Sequence, residues 1–409
     1  MTSYAATVPM IGRPATAGRL VTRNFMMLWQ SQLVSHFGNQ AFAIAMTFWT
    51  ASATHSATMT GMVLMGGVLP VVLLGPLTGT LVDRHRSPLR IVVTCDLASG
   101  VAVTLFALGL LVRPDMMRPS LLFAIALFVG VSNAFLEPAI NALVPDLVPR
   151  DHIEGANAFR QSSRQITVLT AQGVGGILYV LVGPAMLFLI DGLSFLFAGV
   201  GELMIRPPHR GLENADYGSF FKQMADGFRY VVAQPGMIAF LIAVAVFNAL
   251  LMPMSVLLPV FASAYLGGGA LAGSALAGMT RATGAARGSL LVAAFALLAI
   301  ALAALGQIRA PWVALAITFL TGVLSGLINV FVLSILQRRT PTDLRGRVLG
   351  LHAMMARALV PIGMIGGGAV ADLTGRNVPL VFGICGGLAL FSVLLLTMRR
   401  TTRAYLASA

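Results

Sequence analysis

The stretch GTLVDRHRSPLR, Gly79 to Arg90, sets an aspartate, three arginines and a histidine between two long apolar runs. Charges are scarce elsewhere, since 10% of the 409 residues are charged and 57% are hydrophobic. On either side of the stretch, apolar segments of about 20 residues follow one another, each long enough to cross roughly 30 Å of hydrocarbon at 1.5 Å per helical residue. Glycine and proline recur inside them, which membrane helices accommodate better than soluble ones. The pattern predicts an all-α membrane protein.

Working outward, spans are expected at 26–50, 59–82, 89–112, 119–142, 162–182, 184–205, 237–263, 288–306, 311–335, 347–371 and 377–398, with one doubtful segment at 268–286. The first is too long and polar for a cleaved signal peptide, so the N-terminus is expected to stay on. The basic residues fall in alternate loops. Arg13, Arg19 and Arg23 precede the first span, Arg84, Arg86 and Arg90 follow the second, and Arg150, Arg160 and Arg164 follow the fourth. Arg206, Arg210, Lys222 and Arg229 lie centrally, Arg281 and Arg287 flank the doubtful segment, Arg338 to Arg347 follow 335, and Arg399, Arg400 and Arg403 close the chain. The opposite loops hold only Arg113, Arg118, Arg309 and Arg376. The excess of basic residues on one side places both termini in the cytoplasm, provided the doubtful segment makes a twelfth crossing.

A net charge of +13 suggests nucleic acid, but these residues are spread over every cytoplasmic loop instead of being focused on one face, so topology accounts for them. Cys95 and Cys385 are too few and too scattered for a disulfide framework or a metal site. The sequence has neither a GxxxxGK[ST] phosphate loop nor an HExxH pair. No enzyme, cofactor, metal site or ATP-driven pump is expected.

An internal repeat is also legible. One shift of the chain superposes Pro119 on Pro311, Gly130 on Gly322, Pro149 on Pro341 and Asp151 on Asp343, and the same shift brings Gly175, Gly176 and Gly183 onto Gly367, Gly368 and Gly375. This predicts two related six-helix halves, 1–205 and 236–409, joined by a cytoplasmic linker at 206–235. Within the linker Phe220, Phe221, Met224, Phe228 and Val231 share one face, as in a helix lying at the membrane interface. A weaker alignment of the first spans leaves about 20 residues, one helix length, missing from the second half. The eighth span is therefore expected to be short, distorted or absent, with that wall of the cavity depleted.

Two six-helix halves, a central loop and a charged turn after the second span resemble the major facilitator superfamily. Gly79, Asp83 and Arg84 match its signature at that turn, with Arg86 and Arg90 supplying further charge. The glycine is expected to let the second helix approach a neighbour, and Asp83 and Arg84 to latch the halves when the cytoplasmic side is closed. QSQLVSHFGNQAFAIAMTFW, FLEPAINALVPDLVPRDHIEGANAF and FLIDGLSFL are similar to the branch containing macrolide-efflux and enterobactin-export proteins. The resemblance implies alternating access, a central cavity and transport driven by a proton gradient. The sequence departs from that branch at Asn39 and Ser99, where aspartate and arginine are frequent, and Ala171 and Gln172 replace a glycine and proline common in drug antiporters.

A charge within hydrocarbon costs at least a few kcal/mol and is usually held facing protein or water. The family architecture favours His36, Glu137, His352 and Arg357, on cavity helices, for proton coupling, Glu137 foremost. Asp96 and Asp191 fall on outer helices and are expected to serve structure. Gln32, Asn39, Asn133, Asn248 and Asn329 are candidates for the substrate path. The resulting expectation is a monomeric, multi-pass protein of the bacterial inner membrane that exports an amphiphilic small molecule, a drug, macrolide or siderophore, in exchange for protons. An uptake permease and a non-transporting sensor or degenerate family member are the competing readings.

Overall fold

Helix starts follow the local chemistry of the chain. The computed structural model describes residues 22–84, 87–206, 220–265, 288–341 and 344–398, and among these no strand occurs. Helix α1 (Arg23–Thr54) is capped by Thr22, whose hydroxyl oxygen accepts from the Phe25 N–H at 3.2 Å and donates to the Leu147 carbonyl at 2.7 Å. Helix α2 (Ala57–Arg84) follows after a turn at His55, and α3 (Pro88–Val112) and α4 (Pro119–Leu147) open with proline, where a missing N–H costs nothing. Helix α5 (Ile153–Leu203) is one run broken at Gly183, whose φ of 75° and ψ of 171° are open essentially only to glycine. The spans expected at 162–182 and 184–205 are its two arms. The first arm begins earlier than expected, so Arg160 and Arg164 lie on a helix and not in a loop.

The chain continues with α6 (Phe220–Ala233), α7 (Met237–Tyr265), α8 (Gly288–Leu305), α9 (Pro311–Arg339), α10 (Arg345–Ala358), α11 (Val360–Leu373) and α12 (Val378–Met398). Eight segments among the described residues are long and apolar enough to cross a membrane. The single span expected at 347–371 stands as one candidate crossing at Val348–Leu373, interrupted at Leu359 where α10 gives way to α11. Pro361 is the cause, because it has no N–H to continue the ladder and its ring opposes the Arg357 carbonyl. The doubtful segment at 268–286 lies outside the described residues, so the expectation for the eighth span does too. In α6, Val231 is buried and Phe228 exposed, and the Tyr230 hydroxyl donates to the Arg339 carbonyl at 2.9 Å, tying α6 to α9.

Side chains pack into two groups of helices. Clusters around Phe42, Phe106 and Phe188, and around Phe25, Ile140 and Leu143, draw only on residues up to 205. A third, around Phe240, Phe247 and Phe295, draws on residues from 230 onward. The fourth, around Phe261 and Phe382, belongs with the third but takes in Ala57, with Leu64 and Val68 of α2 against it. The offset read from sequence recurs as geometry. Pro119 and Pro311 open α4 and α9, and Gly183 and Gly375 both have positive φ. Gly175 packs against Ile44 of α1 and Gly367 against Pro253 of α7.

Glycines sit where helix backbones come closest. A Cβ on Gly363 would lie 2.0 Å from the Ala249 carbonyl oxygen of α7, and one on Gly130 would lie 2.7 Å from that of Gly67. Gly363→Val therefore forces α11 off α7 and is expected to cost about 1–3 kcal/mol, or more if the helices cannot shift. Gly383→Val, at a position with nothing within 4 Å, is the control and should leave the melting temperature of the purified chain unchanged.

Candidate functional site

The two groups of helices are clasped at one end by a carboxylate. Ser56 caps α2, its Oγ accepting from the Met59 N–H at 3.1 Å. Asp372, near the end of α11 in the other group, accepts from the Ser56 hydroxyl at 2.7 Å and from the Ala57 and Thr58 N–H groups at 2.9 Å each. A negative charge thus sits on the first-turn N–H groups of a helix, where unsatisfied donors and the helix dipole both favour it. Backbone closeness accompanies the clasp, since a Cβ on Gly61 would meet the Met364 carbonyl at 2.5 Å and one on Gly368 the Ala57 carbonyl at 2.5 Å. Ala51, His55, Ala371 and Arg376 border a small cavity there.

Toward its other end α2 is less crowded. A Cβ on Gly75 or Gly79 would meet nothing within 4 Å. Among the described residues, the close approach expected at Gly79 is not made. Arg90 is exposed. The side chains of Asp83 and Arg84, and Arg86 as a whole, lie outside the described residues.

A second arrangement centres on Glu137 of α4. Arg164 of α5 donates to one of its oxygens, Arg160 lies 3.8 Å from the other, and Arg160 also bonds the Asn141 side chain. His36 of α1 lies within electrostatic reach of all three charges. Sequence reasoning singled out Glu137 and His36 but assigned both arginines to topology. Their spacing of four residues on a helix is the signal that would have paired them.

A third arrangement is sealed from solvent. Asp96 of α3, Glu202 at the end of α5 and Gln32 of α1 are 1%, 0% and 2% exposed. The Gln32 Nε2 group donates to Asp96 Oδ2 at 3.0 Å and to Glu202 Oε1 at 2.7 Å. Gln32 was expected along the substrate path. It is buried in the seam of α1 with α3 and α5. Asp191 lies further along the same seam, opposite Gly38.

The remaining candidates are dispersed. Asn248 donates to the Ala356 carbonyl at 3.1 Å and shares a small cavity with Asn329, which donates to Ser325 at 2.9 Å. Asn39 and Asn133 are half-buried, as is His352, while Arg357 is exposed. No group able to hold a metal ion occurs among the described residues.

The comparisons with known proteins agree on family. A family model described as transmembrane secretion effector matches residues 15–408. Macrolide efflux protein A of Streptococcus pyogenes is 28% identical over 250 residues, 60% of each chain, so the chain spans well under two thirds of that relative. The multidrug efflux pump Tap of Mycolicibacterium fortuitum is 23% identical over 86% of this chain and 90% of its own. Among solved structures, the nucleoside transporter NupG superposes with a TM-score of 0.69 at 13% identity, covering 94% of this chain and 100% of its own. A bacterial homologue of the human lysosomal transporter Spinster gives 0.66 at 13%, covering 94% and 96%. These last two share the fold.

The clasp generates a measurable expectation. Asp372→Ala removes the carboxylate from the start of α2, a loss of about 0.5–2 kcal/mol by analogy with helix caps. That should raise the population opened at this end by roughly 2- to 30-fold. A cysteine at Ala51, in a chain lacking Cys95 and Cys385, should then react faster with a membrane-impermeant maleimide. An unchanged labelling rate would show that the carboxylate does not hold the groups together.

Proposed function

We propose that this chain, which belongs to the transmembrane secretion effector family of the major facilitator superfamily, exports an amphiphilic small molecule such as a macrolide in exchange for protons, by alternating access. The observation that carries this reading is the clasp of Asp372 on α2, because it joins the two groups of helices through bonds that can part. The names of the macrolide and multidrug efflux relatives support the direction and the class of cargo. The arginine distribution supports an orientation with the clasped end outside and both termini in the cytoplasm of a bacterial inner membrane. In the opposite state Asp83 and Arg84 would latch the cytoplasmic end. The division into halves at 1–205 and 236–409, with α6 on the linker, and a monomeric assembly complete the proposal.

Proton exchange is placed first at Glu137. A carboxylate beside a cation gives up its proton and one stripped of that cation in a dry site takes a proton up. Separation of Glu137 from Arg160 and Arg164 is then the step that admits the proton. His36, within electrostatic reach, is the group to which the proton would pass.

The experiment is accumulation of a radiolabelled macrolide in everted vesicles, with and without a pH gradient. Gradient-dependent accumulation is expected, and its absence for macrolides and for a panel of cationic drugs would sink the reading. Glu137→Gln should lower gradient-driven flux about tenfold or more while leaving cargo exchange within about twofold. An equal fall in both would make Glu137 a cargo-binding or structural residue.

A further inference from the structure

We propose that Gln32, Asp96 and Glu202 form a proton-binding site sealed between α1, α3 and the second arm of α5, with Asp191 as the next group of a buried relay. The first support is a count of donors. Gln32 has two amide hydrogens, and both are used, one on each acid. Asp96 Oδ1, Glu202 Oε2 and Gln32 Oε1 are left with no protein partner, though all three side chains are buried. The two carboxyl groups also lie within hydrogen-bonding reach of each other. Two carboxylates so close together and so deep cannot both keep their charge, and one proton on either removes the repulsion.

That proton also supplies a donor that the site lacks. Once it forms an O–H on one carboxyl, the facing carboxylate and the Gln32 carbonyl are both available as acceptors. The amide is the independent sign, because it is not an acid, is 2% exposed, and holds an unpartnered oxygen next to both acids. Charge from elsewhere does not relieve the pair. The described ion pairs of Arg160 and Arg164 go to Glu137, and no cation among the described residues pairs with Asp96 or Glu202. The titratable groups that face the site are Cys95 of α3 and Asp191 of α5, with His36 one turn along α1 from Gln32.

The seam extends beyond the pair. Asp191 is 0% exposed with both carboxyl oxygens unpartnered, and it feels the charge of Asp96. Asp191 and Glu202 lie on one face of α5 about three turns apart, roughly 16 Å. Between them the Ser99 hydroxyl of α3 is buried and unpartnered, one turn from Asp96. Rows of acids and hydroxyls of this kind carry protons in pumps and transporters. A proton arrives from water onto a carboxyl oxygen and leaves by the reverse step, with no other bond changed. That its passage drives export rests on the function proposed above; the binding does not.

Infrared difference spectroscopy on the full chain in lipid vesicles, titrated with acid in light and heavy water, tests the binding directly. The wild type should show a protonated-carboxyl band that titrates and shifts in heavy water. Asp96→Asn and Glu202→Gln, which keep volume and a polar head, should each lose or displace it, and Asp115→Asn, at an exposed carboxyl between α3 and α4, should retain it. An unaltered band in both variants would overturn the site, as would a band that follows sodium at constant pH. Vesicle transport of a radiolabelled macrolide adds a second arm. Both variants should lose gradient-driven accumulation by about tenfold while counterflow stays within about twofold. If the wild type has the band but no driven flux, the export reading fails and the site stands. If wild type and variants are driven equally, the part of the site in driving export is overturned.

Discussion

Hydrocarbon gives apolar helices no reason to associate, so their contact depends on close packing where backbones can approach. In this chain glycine supplies that approach at nearly every seam. Gly38 and Gly201 admit α5 against α1, Gly100, Gly192 and Gly199 admit it against α3, and Gly66, Gly67 and Gly130 join α2 to α4. The joint between the two groups obeys the same rule, with Gly61 and Gly368 bringing α2 and α11 into backbone contact. The clasp and the sealed acids are positioned by these approaches. Asp372 reaches the first N–H groups of α2 only because Gly368, one turn earlier on α11, lets the helices touch.

The acidic groups then divide by surroundings. Asp372 lies at a rim, takes its donors from the other group of helices, and can exchange them for water when the groups part. Glu137 lies deeper, with arginine partners from α5 on a side chain 36% exposed. Asp96, Glu202 and Asp191 are shut away from water among groups that include no described cation partner. Desolvation rises across this series while compensation falls. A rim carboxylate suits a latch, and a sealed one suits a group whose state changes by gaining or losing a proton.

Much of this was legible in sequence, and the rest was hidden for physical reasons. Most span positions followed from apolar length, and the joint at Gly183 falls between the spans expected at 162–182 and 184–205. Glu137 and His36 were found because a charge inside a span is conspicuous. Glu202 and Asp372 escaped notice because they lie at span ends, where charges are ordinary, and nothing in one sequence tells which helix end a carboxylate faces. The acid partners of Gln32 were hidden for a related reason. An amide midway along a span shows its depth but not its azimuth, and the face it presents is fixed by glycines on α1 and α5. The break at Leu359 could have been read from Pro361, had the apolar run not masked it.

Helix α1 is where these arrangements meet. Gln32 belongs to the sealed acids and His36, four residues on, to the surroundings of Glu137, so about one helical turn separates the two. Helix α5 also serves both, its first arm carrying Arg160 and Arg164 and its second Glu202 and Asp191, with the non-helical joint at Gly183 between them. Motion at that joint can carry the arginines away from Glu137 while the second arm, wedged by glycine against α1 and α3, keeps its register. On the proposed cycle the ion pair opens and closes with the conformation, the sealed site holds its proton throughout that motion, and α1 and α5 are the elements through which the state of either can reach the other.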